Sequence, residues 1–282
     1  MIYTWLFLGL YVSSMFVGRA LKLDGSRLMT PVVLVLVFTV SAWASTEVVV
    51  RELEGLLFRS LAFTAMLVLL TLGIGALLRG GRGNLGEVKS SFPFQYPAAL
   101  VAGWVFGILF RTPLYSSVVT CELYVLAVVV GISMWRGLSL RTVRAGGARA
   151  LLSTAVALLG SAVGAGLFSF LTGLRFNVAL GIALGMGWYS FTGPAIAAYV
   201  SPYYGVVAFL VNFLREQVTY VLVPALRRDE VGLLALGGAT TMDDTLPVFV
   251  STFGPEAGVS AAVNGVILTL IVPILVTTVV SI

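Results

Sequence analysis

The sequence predicts an all-α polytopic membrane protein with about ten transmembrane segments in two five-segment inverted halves, and three observations carry that expectation. Of 282 residues, 59% are apolar and only 10% charged, against about 25% charged in a water-soluble domain. The apolar residues fall in runs close to the ~20 residues a helix needs to cross a bilayer, joined by short connections that contain arginine. Two of the runs are interrupted by glycine and proline, one from Gly185 to Pro194 and one from Gly237 to Pro247. Discontinuous helices of that kind are where many secondary transporters build their sites.

Taken in order, the runs cover 2–17, 28–45, 61–78, 98–110, 118–135, 150–170, 177–200, 204–226, 231–251 and 261–281. The first starts without a basic stretch and leads into Arg19 and Lys22, so it reads as a spanning helix rather than a cleaved signal peptide. Residues 47–59 mix glutamate with arginine and belong at the surface. Residues 79–97 hold glycines and two prolines without phosphate-loop spacing and read as a plain loop. The basic stretch 136–149 divides the chain into an N-terminal half, 1–149, and a C-terminal half, 150–282, that carries most candidate site residues. Five segments per half is an odd number, so related halves must lie in opposite orientations. Gly160 and Gly164, four apart, permit close helix approach.

The net charge of +5 would point to nucleic acid in a soluble protein. Here the arginines sit in short loops, where they act as orientation signals. Loops one, three, five, seven and nine hold ten of the seventeen Lys and Arg residues and the even loops six. The odd loops are therefore expected in the cytoplasm and both termini outside the cell, in a multi-pass cell-membrane protein that binds no nucleic acid. A single cysteine, Cys121, excludes an internal disulfide or thiolate cluster, and the chain has no histidine. Neither a metal nor a cofactor is expected.

A charge at the bilayer centre costs at least about 2.5 kcal/mol, which singles out the ionisable residues inside the runs. Asn212, Arg215, Glu216 and Thr219 fall at i, i+3, i+4 and i+7, along one helix face. They either hold helices together or line a site. In the second break, Thr240, Thr241, Asp243 and Asp244 supply oxygens beside unwound backbone, as cation sites in transporters do; the alternative is a turn near the surface in which the aspartates cap a helix. In the first break, Trp188, Tyr189 and Ser190 are either an interfacial belt or the wall of a cavity in which an ammonium lies over a ring. Glu122 stands in the fifth run.

Four blocks carry a family resemblance: 185–193, Gly-Met-Gly-Trp-Tyr-Ser-Phe-Thr-Gly; Asn212-Phe-Leu-Arg215-Glu216 with Pro224-Ala-Leu-Arg-Arg228; 238–248, Gly-Ala-Thr-Thr-Met-Asp-Asp-Thr-Leu-Pro-Val; and 264–273, Asn-Gly-Val-Ile-Leu-Thr-Leu-Ile-Val-Pro. In order and spacing they resemble the LysO-type lysine exporters, and the first half adds Val130-Gly131-Ile132. The resemblance implies secondary active export of L-lysine and thialysine across the cytoplasmic membrane, as lysine/proton antiport. The chemistry of the residues themselves then puts a cationic amino acid among Asp243, Glu216, Arg215, Asn212, Asp244, Thr240, Thr241, Trp188, Tyr189, Ser190, Glu122 and Asn264, with Arg215 or a half-helix N-terminus facing the carboxylate and Asp243, Glu216 and Glu122 receiving the ammonium groups. Asp243 matches the family's acidic position. Asn264 stands where some relatives have histidine, so proton coupling falls to Asp243, Glu216 and Glu122.

A cation/proton antiporter or a sodium-coupled organic anion transporter would share the architecture, so sodium stands beside the proton as a coupling ion. An intramembrane aspartyl protease would need a Gly-x-Gly-Asp context that is missing here, and no enzyme is expected. The oligomeric state is left open, a homodimer included.

Overall fold

The computed structural model of the protein describes residues 2–47, 52–78, 95–134, 140–227 and 229–282. Among them every regular element is helical: α1 (Ile2–Leu21), α2 (Ser26–Glu47), α3 (Leu53–Leu78), α4 (Gln95–Leu109), α5 (Tyr115–Met134), α6 (Leu140–Thr172), α7 (Phe176–Ala183), α8 (Tyr189–Tyr199), α9 (Pro202–Leu226), α10 (Glu230–Gly237), a 3₁₀ turn (Gly238–Met242), α11 (Leu246–Phe253) and α12 (Pro255–Val280). Helices satisfy their own backbone groups, which is what a bilayer demands. Six are long and apolar enough to cross a membrane: α2, α3, α5, α6 from Gly147 onward, α9 and α12. The apolar parts of α1 and α4 are shorter. Most of the loop expected over 79–97, and residues 135–139 of the basic stretch, lie outside the described residues.

Small residues let the long helices approach. Gly103 and Gly107 of α4 lie against the backbone of Phe38 and Ala42 of α2, so these two helices run side by side in the same direction. Gly131 of α5 meets Tyr11 and Ser14 of α1. Gly160 meets Thr71 and Gly164 meets Leu67, while Phe63 stacks on Phe168 at 4.1 Å. That makes α3 and α6 antiparallel neighbours and gives the expected glycine pair its packing role.

The two interrupted runs do not pass straight through the bundle. α6 ends and α7 begins at the end of the bundle where α3 starts. α8 returns there, because α9 begins beside the start of α3, where Arg59 Nη1 donates to the Tyr203 hydroxyl at 3.4 Å. α7 and α8 pack on each other through Gly181 and Ile196. The reversal is made in residues 184–188, with Met186 at φ 46° and Gly187 at φ 89°. Helix resumes at Tyr189, so the break is shorter than 185–194 and Pro194 lies inside α8.

α10 enters from the other end. Asp229 caps it, its Oδ1 accepting from Gly232 N at 2.8 Å. Arg149 at the start of the straight part of α6 lies 3.6 Å from Glu230. α11 then folds back beside α10, with Phe249 against Gly237 and Val248 and Phe249 in one apolar cluster with Val223, Leu233 and Leu234. Pro247 sits in the first turn of α11, where its missing N–H costs nothing. α12 runs from that end back to the first, where Val280 meets Gly181. The result is two helical hairpins entering from opposite ends, here called the terminal face, where α1 begins and α12 ends, and the opposite face.

The hairpin tips touch. Ala239 N donates to Met186 O at 2.9 Å, and Gly238, at φ 61°, lies so close to the Met186 carbonyl that a Cβ would strike it. Gly238→Ala combines a left-handed backbone, worth about 1–2 kcal/mol, with a clash against backbone that has nowhere to go. We expect this variant to lose about 3 kcal/mol or more of stability, read as a lowered melting temperature in detergent. Unchanged melting would mean that the tips separate freely.

Candidate functional site

Where the tips meet, a cavity of about 180 Å³ opens among α2, α4, α9, α12 and both hairpins. That is an order of magnitude more than the ~15 Å³ one water needs, so the space takes a small organic solute. Its wall contains Glu216, Asp243 and Asp244, the hydroxyls of Thr30, Ser190, Thr240 and Thr269, and the rings of Tyr96, Trp188 and Tyr189. Met29, Thr30 and Tyr96 stand near the starts of α2 and α4, so this cavity belongs to the opposite-face side of the tips.

The three acids reach it differently. Glu216 is fully buried on α9. Its Oε1 accepts from Gln217 Nε2 at 3.3 Å, whereas Oε2 has no hydrogen-bond partner among the described residues. Asp243 and Asp244 lie exposed in the turn after the 3₁₀ segment. Asp243 Oδ1 accepts from Asp244 N at 2.7 Å, and the Tyr220 hydroxyl donates to Asp244 O at 2.6 Å, which fixes the turn to α9.

α8 contributes the opposite polarity. Its N-terminus stands at the cavity wall without a side-chain cap at Trp188, and Thr192 N, bonded to Trp188 O at 3.0 Å, belongs to its first closed turn. The amides before it are the positive end of the helix dipole. Tyr189 is held edge-on to Tyr96 at 5.4 Å and to Phe213 at 5.3 Å. The cavity thus has an acidic side and an amide-bearing aromatic side, a pairing suited to a zwitterion with additional positive charge.

Five of the sequence-predicted residues stand elsewhere. Arg215, wholly buried, donates from Nε to Leu236 O and from Nη2 to Ala235 O, both at 2.8 Å. It compensates the C-terminal, negative end of α10 and is not among the residues that line the cavity. Asn212 accepts from Gly187 N at 2.9 Å and donates to Ile182 O at 3.0 Å, which bolts the α7–α8 tip to α9. Asn264 does the same for the other tip, donating to Leu234 O and Gly238 O at 3.1 Å, with Thr154 donating to it from α6 at 3.0 Å. Thr241 is tied to Ala261 O and Asn264. Glu122 accepts from Thr39 at 3.0 Å and borders a separate apolar slot between α2 and α5.

The cavity also recruits residues that sequence reasoning passed over: Met29, Thr30, Val33 and Tyr96 from the first half, and Met242 and Thr269 from the second. Tyr96 lies in a proline-flanked aromatic run, Phe92-Pro-Phe-Gln-Tyr-Pro97, which was its one signal.

Residues 98–280 match the family described as lysine exporter LysO. The lysine exporter LysO of Escherichia coli K12 is 39% identical over 129 residues, 45% of this chain and 43% of that protein. A putative lysine exporter of Haemophilus influenzae Rd is 28% identical over 181 residues, 62% of this chain and 90% of that protein. The alignment therefore spans less than half the length of the E. coli relative. No solved structure matches.

Proposed function

The chain belongs to the lysine exporter LysO family, and from that premise we propose that it exports L-lysine across the cytoplasmic membrane, loading it in the cavity between the hairpin tips. The observation that carries this reading is one small cavity lined by three carboxylates on one side and an uncapped helix N-terminus on the other. Lysine brings two ammonium groups and one carboxylate. The ammonium groups go to Glu216 and to Asp243 or Asp244, and the carboxylate goes to the Ser190 and Phe191 amides in the first turn of α8, since Tyr189 N already donates to Gly187 O. Thialysine, with sulfur in place of a side-chain methylene, fits the same contacts. An organic anion would meet three acids of its own sign, which disfavours the sodium-coupled anion alternative.

Orientation follows from the hairpins. If both interrupted runs turn back, eight helices cross: α1 to α6, α9 and α12. Twelve of the seventeen Lys and Arg residues then belong to connections or helix ends at the opposite face (Arg19, Lys22, Arg27, Arg79, Arg82, Lys89, Arg136, Arg141, Arg144, Arg149, Arg227, Arg228), and four to the terminal face (Arg51, Arg59, Arg111, Arg175). By the positive-inside rule the opposite face is cytoplasmic. Both termini lie outside, and the cavity opens toward the compartment from which an exporter loads. The pairing of α1 with α5 and of α6 with α12 supports two inverted halves.

Coupling is a matter of occupancy. The buried Glu216 carboxylate is costly to leave charged and unpaired, so once lysine departs outward, a proton entering from outside replaces its ammonium group. Glu216 and Asp243 are the groups shared between the two cargoes, whereas Glu122 lies apart from the cavity. Purified protein in lysine-loaded liposomes tests this. Radiolabelled lysine should exchange in, thialysine should compete and glutamate should not, and a proton gradient directed against lysine flow should drive transport without sodium. Exchange of organic anions, or an absolute need for sodium, overturns the reading.

A further inference from the structure

A second cavity of about 480 Å³ lies toward the terminal face among α1, α5 and α8. Its lining includes Ser116, Ser117, Thr120, Cys121 and Tyr199. The slot between α2 and α5 shares Ser117 and Cys121 with it, but its exposed wall is almost wholly apolar, with Val32, Val35, Val118 and Val125 beside Glu122, and suits lipid chains. A wall of uncharged hydroxyls suits water and a passing polar solute: it supplies hydrogen bonds but no carboxylate to retain an ammonium.

The two cavities are separated by three rings in unbroken contact. Trp188 lines the acidic cavity and Phe7 lines the hydroxyl cavity. Phe191 lies between them, 5.2 Å from Trp188 and 5.6 Å from Phe7, ring centre to ring centre. Phe7 and Phe191 are 2% and 1% exposed, so both rings are packed. Two of the rings belong to the α7–α8 hairpin and the third to α1, so a shift of the hairpin against α1 opens the stack.

We propose that the hydroxyl-lined cavity is the exit half of the lysine path and that the Phe7, Phe191 and Trp188 rings are the barrier closing it from the loading cavity. The assignment rests on the exporter reading above. Lysine leaves three carboxylates for a chamber that binds it weakly and therefore empties readily, while the rings prevent both cavities from being open at once.

Cys121 is the sole cysteine of the chain and is exposed, so the protein carries its own reporter. In sealed liposomes of known orientation, a charged methanethiosulfonate should modify Cys121 from the terminal face and not from the opposite face, and the modified protein should lose lysine exchange. Phe191→Ala should raise modification from the opposite face at least tenfold. Phe7→Leu, a milder change, should raise it in the same direction if the alanine variant folds poorly. Modification by a neutral, membrane-permeant maleimide with none by the charged reagent from either face overturns the proposal, because Cys121 is then reached only through the apolar slot it also borders and no aqueous exit chamber meets it. Equal reactivity from both faces in the unsubstituted protein overturns it too. Sided labelling without lysine exchange would remove the substrate and leave the two-cavity path standing, whereas lysine exchange with an inert Cys121 would remove this inference alone.

Discussion

Glu216→Gln weakens lysine binding by roughly ten- to a hundredfold and reduces exchange to the liposome background, while the protein melts at the same temperature or slightly higher. The two halves of that result come from one feature. Glu216 is wholly buried, and its Oε2 has no hydrogen-bond partner among the described residues, so within the chain its charge is an uncompensated cost that glutamine relieves at nearly the same volume. For an ammonium in the cavity the same charge is worth about 1.5–3 kcal/mol over a neutral hydrogen-bond acceptor, which sets the loss of affinity. Isothermal titration in detergent and counterflow in liposomes measure the two quantities separately. Asp243→Asn acts in the same direction with a smaller effect, because Asp243 is exposed beside Asp244 and water shares in solvating the ammonium. Lysine affinity unchanged in Glu216→Gln would take the carboxylate out of the site.

Arg215→Ala does the reverse. It lowers stability by about 4 kcal/mol or more while the folded fraction binds lysine within about threefold of the original affinity. Two charge-assisted bonds at 2.8 Å are lost, each worth about 1.5–3 kcal/mol. The carbonyls of Ala235 and Leu236 are stranded at a buried helix end, and the removed side chain is the largest of those fully buried, so an internal void adds to the cost. Arg215→Lys retains the charge but not the fork, and should fall between the two. Thermal melting with and without lysine reads both effects. A selective loss of lysine affinity at unchanged stability would restore the direct contact with the substrate carboxylate that the helix spacing alone proposes.

These two residues show what was legible beforehand. Neighbours on one helix, Arg215 and Glu216 both advertise themselves as charges in an apolar run, and both are buried. Spacing defines the helix face on which a side chain stands but not what stands opposite it. One meets the end of α10 and the other meets open space, and only tertiary packing separates those outcomes. The glycine breaks were equally visible, because Gly187 and Gly238 occupy positive φ that other residues avoid. Their sense was not, since hydropathy counts apolar residues and carries no direction; a run that turns back and one that continues look alike. Thr30 was silent because it joins the cavity through the packing of α2 against the distant hairpins, which no local pattern records.

The pinning of each hairpin tip by an asparagine from a later helix has a consequence for biogenesis. α7 and α10 have 8 residues each, about 12 Å of helix, too short to be held across a ~30 Å hydrocarbon layer as they leave the ribosome. The α7–α8 tip gains its anchor only when Asn212 has been made, and the α10–α11 tip only when Asn264 has followed. Each short segment is therefore fixed only after the helix that follows it, and the loading site is complete only once α12 has been made.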